Sequence, residues 1–321
     1  MKNVRKILSL VLVIAIMATT ALVTTSCSKQ GYTIGILQLV DHEALDAATE
    51  GFKQALIDRL GEENVNFDYQ NAANDTNTCS TIANNFASKN VDLIMANATP
   101  ALQACVAATT TIPILGTSVT EYGVALSIDN FTGVVGSNVS GTSDLAPLDE
   151  QAQMIIDLFP EAKTVGLLYC SAEPNSKYQV QVVRAYLEGK GLTVKDFAFT
   201  DSNDVALVSE NAASESDVIY IPTDNTAASC TETINNACLP KRVPVVAGEA
   251  GTCKGCGVFT LSISYYDLGY KTGEMAADIL EGKADISTMA IQYAPTPSKM
   301  YNKENCEALG ITIPEGYTPL K

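Results

Sequence analysis

The chain has 321 residues, with 20 Lys and Arg against 36 Asp and Glu, a formal charge of −16, and a single histidine. That length suits two lobes better than one core, and the acidic balance argues against a nucleic-acid partner, which needs a basic face. One imidazole, His42, forbids a two-histidine zinc site, and without tryptophan any aromatic wall must come from Tyr or Phe.

Residues 1–26 read as a signal segment. Lys2, Arg5 and Lys6 precede an apolar run at 7–20, and Thr24, Thr25 and Ser26 stand before Cys27. The run is short for a spanning helix, which needs about 20 residues. Cys27 is expected to be the lipidated first residue of an anchored chain, although Thr24 stands where such boxes usually carry an aliphatic residue. A plain cleaved signal or an uncleaved anchor is the alternative. Removing 26 residues takes three basic groups and leaves (20 − 3) − 36 = −19. Residues 27–30 then form a tether.

From residue 31 the hydrophobic period alternates. A β-rich run at 32–37 precedes helically spaced Leu45, Phe52, Leu56 and Leu60, stopped at Gly61. The spacing then predicts a strand at 65–69, a helix at 75–88, a strand at 91–96, a helix opened by Thr99-Pro100, and a strand at 112–115. Between 127 and 147, Gly133, Gly136 and Gly141 stand among Asn, Ser and Thr, which marks a crossover. Alternation resumes with helices at 148–159, 176–188, 204–213 and 226–237 between strands at 164–169, 194–199, 217–221 and 243–247. A strand at 258–263 precedes a last long helix at 267–280. The expected fold is therefore α/β, with two doubly wound parallel-sheet lobes and a ligand cleft between them. Lobe 1 is expected to hold 31–140 plus about 265–290, and lobe 2 142–264 plus about 291–321.

Ligands of open parallel sheets bind beyond the carboxyl ends of the strands, so the strand-end loops carry the candidate site. They hold Gln38 and His42, then Thr99, then Thr117 and Ser118, and in the second half Glu173, Asn175 and Ser176, then Thr223, Asp224 and Asn225, then Glu249. Each alone could be a helix cap. Together they set hydroxyls and helix starts against carboxylates. Outside the signal segment only Arg59, Arg184 and Arg242 remain, none in such a loop, so the fork usual for phosphate or a dicarboxylate is missing. Hydroxyls and helix starts such as Thr99 could hold one carboxylate, and Asp224, Glu249 and Asp267 an ammonium. This describes a binder of a free amino acid.

No enzyme motif competes. Asp46 stands where a zincin helix would carry its second histidine, no G-x-S-x-G elbow accompanies His42, and no phosphate-cradling glycine loop follows a strand. His42 is either a structural residue at a helix start or a ligand contact. The expected activity is binding without catalysis, cofactor or metal. Cys253-Lys-Gly-Cys256 is a redox pair, half a metal site or two small buried side chains, and a local disulfide between them is open; no second CxxC completes a zinc site.

The stretches QLVDHEALDAATEGFKQAL, NAANDTNTC, MANATPALQA, GSNVSGTSD, LFPEAKTVGLLYCSAEPNS, VIYIPTDNT and ISYYDLGYKTGEMAADILEG run in order from residue 38 to 282. By them the chain resembles the ABC-transporter substrate-binding lipoproteins of the tryptophan/tyrosine type, with the type I periplasmic-binding fold. That resemblance implies a ligand pocket at Gln38, Thr99, Ser118, Glu173, Asn175, Ser176, Asp224, Asn225 and Asp267. It also implies a monomer, lipid-anchored on the extracytoplasmic face of the cell membrane, that delivers its ligand to ABC permease subunits by lobe closure. The aromatic preference comes from the resemblance alone, with Tyr122, Tyr265 and Tyr266 available to line an apolar end, at most one of the adjacent pair facing the ligand. Two features depart from the family pattern: Glu121-Tyr122-Gly123 after the Thr117 loop, and the CxxC before the last crossover. A sugar or nucleoside receptor, or a ligand sensor for a signalling partner, is the alternative reading.

Overall fold

The computed structural model describes residues 31–293 and 296–320; Cys27 and the signal segment lie outside them. Two sheets organise the chain. The first has the strand order β11-β5-β4-β3-β1-β2 and is parallel throughout. Its strands are β1 (Tyr32–Gln38), β2 (Val65–Asn71), β3 (Leu93–Asn97), β4 (Ile114–Val119), β5 (Val139–Ser143) and β11 (Gln292–Tyr293). The second has the order β13-β12-β10-β9-β8-β6-β7 and is parallel except where β12 (Ser298–Tyr301) runs against β10 (Phe259–Ser262). Its other strands are β6 (Thr164–Cys170), β7 (Thr193–Phe199), β8 (Val218–Ile221), β9 (Val245–Ala247) and β13 (Thr318–Pro319). No helix among the described residues is long and apolar enough to cross a membrane.

The near-continuous apolar runs of the central strands follow from burial on both faces. In β1, Ile34 and Ile36 pack with Phe52 of α1 (Glu43–Leu60) and Met275 of α11 (Tyr265–Leu280). Leu37 faces the other way, in the cluster with Phe86 of α2 (Thr76–Lys89) and Leu102 of α3 (Thr99–Ala108). The second sheet is covered likewise. On one face are α5 (Leu148–Leu158) and α6 (Pro174–Gly189), with Ile155 and Val183 on Leu167 and Phe259. On the other are α7 (Val205–Glu215) and α9 (Thr231–Cys238), with Ala212 and Ile234 on Leu168 and Ile219.

The structure adds what the period hid. The helix expected at 226–237 breaks at Cys230 into α8 (Asn225–Ser229) and α9. Short helices α4 (Tyr122–Leu126) and α10 (Ala250–Cys256) fill stretches read as loop, and Tyr265 and Tyr266 open α11 rather than lying on a strand. After β12 the tail adds α12 (Lys303–Leu309) and β13 to the second lobe. The first sheet keeps the chain through Ser143 and again through Tyr293, slightly beyond the changeovers expected at 140–142 and about 290. Strand β5 carries one apolar residue because its neighbours are hydroxyls. Thr142 Oγ lies 3.2 Å from Thr117 Oγ and 2.8 Å from Thr272 Oγ of α11, and the Tyr122 hydroxyl donates to Thr142 O at 3.1 Å.

Helices α1 and α11 touch backbone to backbone. A Cβ at Gly269 would stand 1.9 Å from Ala48 O, and one at Gly51 2.1 Å from Tyr266 O. This contact positions the cleft, because α1 starts beside His42 and α11 starts with Tyr265. Gly269→Ala is expected to push the helices apart and cost about 1–3 kcal/mol of stability, read as a lowered thermal midpoint. An unchanged midpoint would show that the pair can separate freely.

Candidate functional site

The carboxyl ends of both sheets face one cavity lined from both lobes. Of the residues singled out from the sequence, His42, Ser118, Asn175, Thr223, Asp224, Asn225 and Glu249 line it, together with Ala44, Leu45, Thr120, Asp144, Ala228 and Tyr265. Gln38, Thr99, Thr117, Glu173, Ser176 and Asp267 are not among its lining residues.

Their surroundings say why. Gln38 Oε1 accepts from Thr49 Oγ and its Nε2 donates to Asp46 and Val40 O, which ties β1 to the first turns of α1. Thr99 is buried in the first turn of α3 and Ser176 in that of α6, while Thr117 belongs to the hydroxyl run beneath α11. Asp267 is exposed in the first turn of α11, its N–H donating to Ser264 Oγ. Glu173, 4% exposed, is consumed by α8. It accepts from the Asn225 and Thr226 N–H groups at 3.1 and 2.9 Å, from Asn225 Nδ2 at 2.7 Å and from Thr226 Oγ at 2.9 Å.

Two lining acids are also spoken for. Asp224 caps α8 at Ala227 N–H, 2.8 Å, and its other oxygen accepts from Cys170 N–H at 2.6 Å. Burial, first, and the Glu173 carboxylate push its pKa up. Glu249 caps α10, accepting from the Gly251 and Thr252 N–H groups. Asp144, which composition placed in a featureless crossover, is different. It is 2% exposed, one oxygen accepts from the Tyr265 hydroxyl at 2.8 Å, and Oδ1 has no hydrogen-bond partner. Burial pushes its pKa up, more than the Tyr265 bond pulls it down.

Two more buried oxygens on this wall lack partners, Ser118 Oγ and Asn175 Oδ1. Ser118 sits where the β4–β5 register shifts, with φ +53°, a left-handed conformation that a non-glycine residue adopts at a cost of about 1–3 kcal/mol. Also on the cavity, α1 begins at His42 without a side-chain cap, and Ala44 and Leu45 of its first turn line it. Their N–H groups are among the helix donors without an intrahelical partner. Such buried polar groups ordinarily find a partner, so the wall suits a ligand with its own donors and acceptors. No Lys or Arg lines the cavity, while three carboxylates do.

Three contacts join the lobes over it. His42 Nε2 is 3.3 Å from Asn225 Oδ1, Asn74 Nδ2 donates to Thr226 Oγ at 3.0 Å, and Lys254 pairs with Glu43 at 3.1 Å. Cys253 and Cys256 lie nearby in α10 as buried, free thiols, their pKa values pushed well up by burial, which suits packing residues.

The chain is 37% identical over 262 residues, 80% of its length and 75% of the relative's, to the tyrosine-binding protein of Clostridioides difficile. It resembles a Streptococcus pneumoniae domain solved in complex with L-Trp, at 32% identity and a TM-score of 0.85, covering 89% of this chain and 96% of that one. A substrate-binding protein of Clostridium difficile solved in its ligand-free, open form is 38% identical, with 90% and 100% covered, yet superposes at only 0.68. The whole chain therefore superposes better on the tryptophan complex than on the open form. Residues 33–318 match the sequence profile of the ABC transporter substrate binding proteins, and with two lobes meeting over a polar cavity the chain belongs to that family.

Proposed function

We propose that this protein is the extracytoplasmic receptor for a free aromatic amino acid, which it encloses between its lobes and delivers to an ABC permease. The observation that carries the reading is the cavity wall: an uncapped α1 start, an unpartnered Ser118 hydroxyl, and carboxylates without a balancing Lys or Arg. A zwitterion matches that polarity. Its carboxylate would complete the first turn of α1 and meet Ser118, and its ammonium would lie among the acids. Ala44, Leu45, Ala228 and the Tyr265 ring supply the apolar contacts for a side chain, and the tyrosine-binding and tryptophan-bound relatives support an aromatic one. Family membership implies an extracytoplasmic domain serving a transporter. Tethering of a monomer through Cys27 is part of the same proposal.

Closure needs no chemistry. A ligand touching both lobes shifts the population toward the closed form, in which the His42–Asn225, Asn74–Thr226 and Lys254–Glu43 contacts form. The lone imidazole is engaged in one of them, and binding without turnover is the expected activity.

A thermal-shift screen of residues 31–321 against amino acids, sugars and nucleosides tests the reading. L-Tyrosine or L-tryptophan at 100 times its Kd should add about 2.7 kcal/mol of stability, which raises the midpoint by about 4–5 °C. Stabilisation by a sugar or nucleoside with none by any amino acid would overturn it. A shift from branched or polar amino acids alone would keep the zwitterion and discard the aromatic side chain.

A further inference from the structure

The geometry points to Asp144, held by Tyr265, as the group that takes the ligand's ammonium and makes the receptor select α-amino acids over their desamino analogues. The inference rests on reading the ligand as an amino acid, and it assigns to one residue what the strand-end loops offered to Asp224, Glu249 and Asp267.

The assignment follows from where each carboxylate's bonds go. Both oxygens of Asp224 and both of Glu249 already accept from backbone N–H groups, mostly at helix starts. Asp267 is exposed and away from the cavity wall. Asp144 caps no helix: it follows β5 directly, and α5 begins only after Pro147. Its Oδ2 takes the Tyr265 hydroxyl. The Thr120 hydroxyl and the Asp144 N–H lie close enough to the carboxyl to favour its charged form, yet Oδ1 makes no hydrogen bond. A buried carboxylate with one unpaired oxygen is expensive. An ammonium in the cavity is the group that would satisfy it in charge, donors and geometry.

Placement strengthens the case. Asp144 lies where the chain leaves the first sheet and Tyr265 where it returns from the second, so their bond ties the two crossings together. The other titratable groups facing Asp144 are Tyr122 of α4 and Glu249, with Asp224 and His42 on the same cavity wall. None is a cation except His42 when protonated, and that ring is turned to Asn225. A ligand lacking the amine would leave Oδ1 bare inside a closed cavity, and sites built to hydrogen-bond a missing group reject such analogues strongly.

Calorimetric titration of L-tyrosine against 3-(4-hydroxyphenyl)propanoate, or of L-tryptophan against 3-(indol-3-yl)propanoate, reads this directly. Any other amino acid that the screen selects is paired with its own desamino acid. The wild-type chain is expected to prefer the amino acid by about 100-fold or more, and Asp144→Asn to bring the two within about 10-fold. If Asp144→Asn does not fold, Tyr265→Phe serves. Losing the hydroxyl raises the Asp144 pKa further, so amino-acid affinity should fail at a higher pH than in wild type as pH is lowered. An amine preference that survives Asp144→Asn, or a pH profile unmoved by Tyr265→Phe, overturns the assignment alone. A wild-type chain that binds no amino acid overturns it together with the reading of the site.

Discussion

Glu173→Ala is expected to lower the thermal midpoint by about 5–9 °C and to abolish ligand binding. Glu173 is buried and lies outside the cavity wall, yet it holds the start of α8 through two backbone N–H groups and the side chains of Asn225 and Thr226. Truncation leaves these donors without an acceptor in a dry interior, a loss of about 3–5 kcal/mol. For a chain of this size that corresponds to roughly 2 °C per kcal/mol. One term opposes the loss, since removing the Glu173 charge relieves its repulsion of Asp224. That repulsion is smaller than four orphaned donors, so the net sign is destabilising. Function goes with stability here because Asn225 reaches His42 and Thr226 reaches Asn74 across the cleft. A midpoint within about 3 °C of wild type, with ligand affinity kept, would show that α8 is anchored elsewhere.

The same residue shows where sequence reasoning stops. Glu173 opens the Glu173-Pro174-Asn175-Ser176 loop, and from its type and place it is equally a cap, a ligand contact or a buried anchor. Only the tally of hydrogen bonds, made by an element fifty residues later, decides. The βα alternation was legible because buried parallel strands must be apolar, as β1, β3 and β8 are. Strand β5 was not, because the Tyr122 hydroxyl and the Thr117–Thr142–Thr272 run replace apolar packing there. A Cβ at Gly141 would stand 2.0 Å from Gly116 O, so a glycine needed for close approach of two strands looked like one more loop glycine. Asp144 was lost with that strand. The strand-end rule gathered seven cavity residues because the sheet topology fixes where loops emerge, but it carries no information on which lone pairs are already in use. That distinction separates Asp144 from Asp224 and Glu249. Tyr265 stands out in the sequence for its ring alone; its hydroxyl on Asp144 depends on α11 starting directly after Ser264.

Asp144 carries the second large effect, and it has opposite signs with and without ligand. In the ligand-free protein Asp144→Asn is expected to be stabilising at pH 8, by about 1–3 kcal/mol, and near neutral at pH 4. Burial raises the Asp144 pKa above its unfolded value, which for a carboxyl is about 3.9. Between those two values the folded state binds more protons than the unfolded state, so stability contributed by this group declines as pH rises through the window and levels off above the folded pKa. Asparagine does not titrate, so the advantage of the variant opens above about pH 4 and persists at higher pH. Saturating amino acid reverses the order. The ammonium partners the carboxylate and adds about 2.7 kcal/mol to wild type at 100 times Kd, whereas the variant gains little. Melting curves at pH 4, 6 and 8, each with and without ligand, should therefore cross. If Asp144→Asn is less stable than wild type without ligand at pH 8, Oδ1 has a partner within the folded chain, and the exchange of stability for recognition at this residue does not hold.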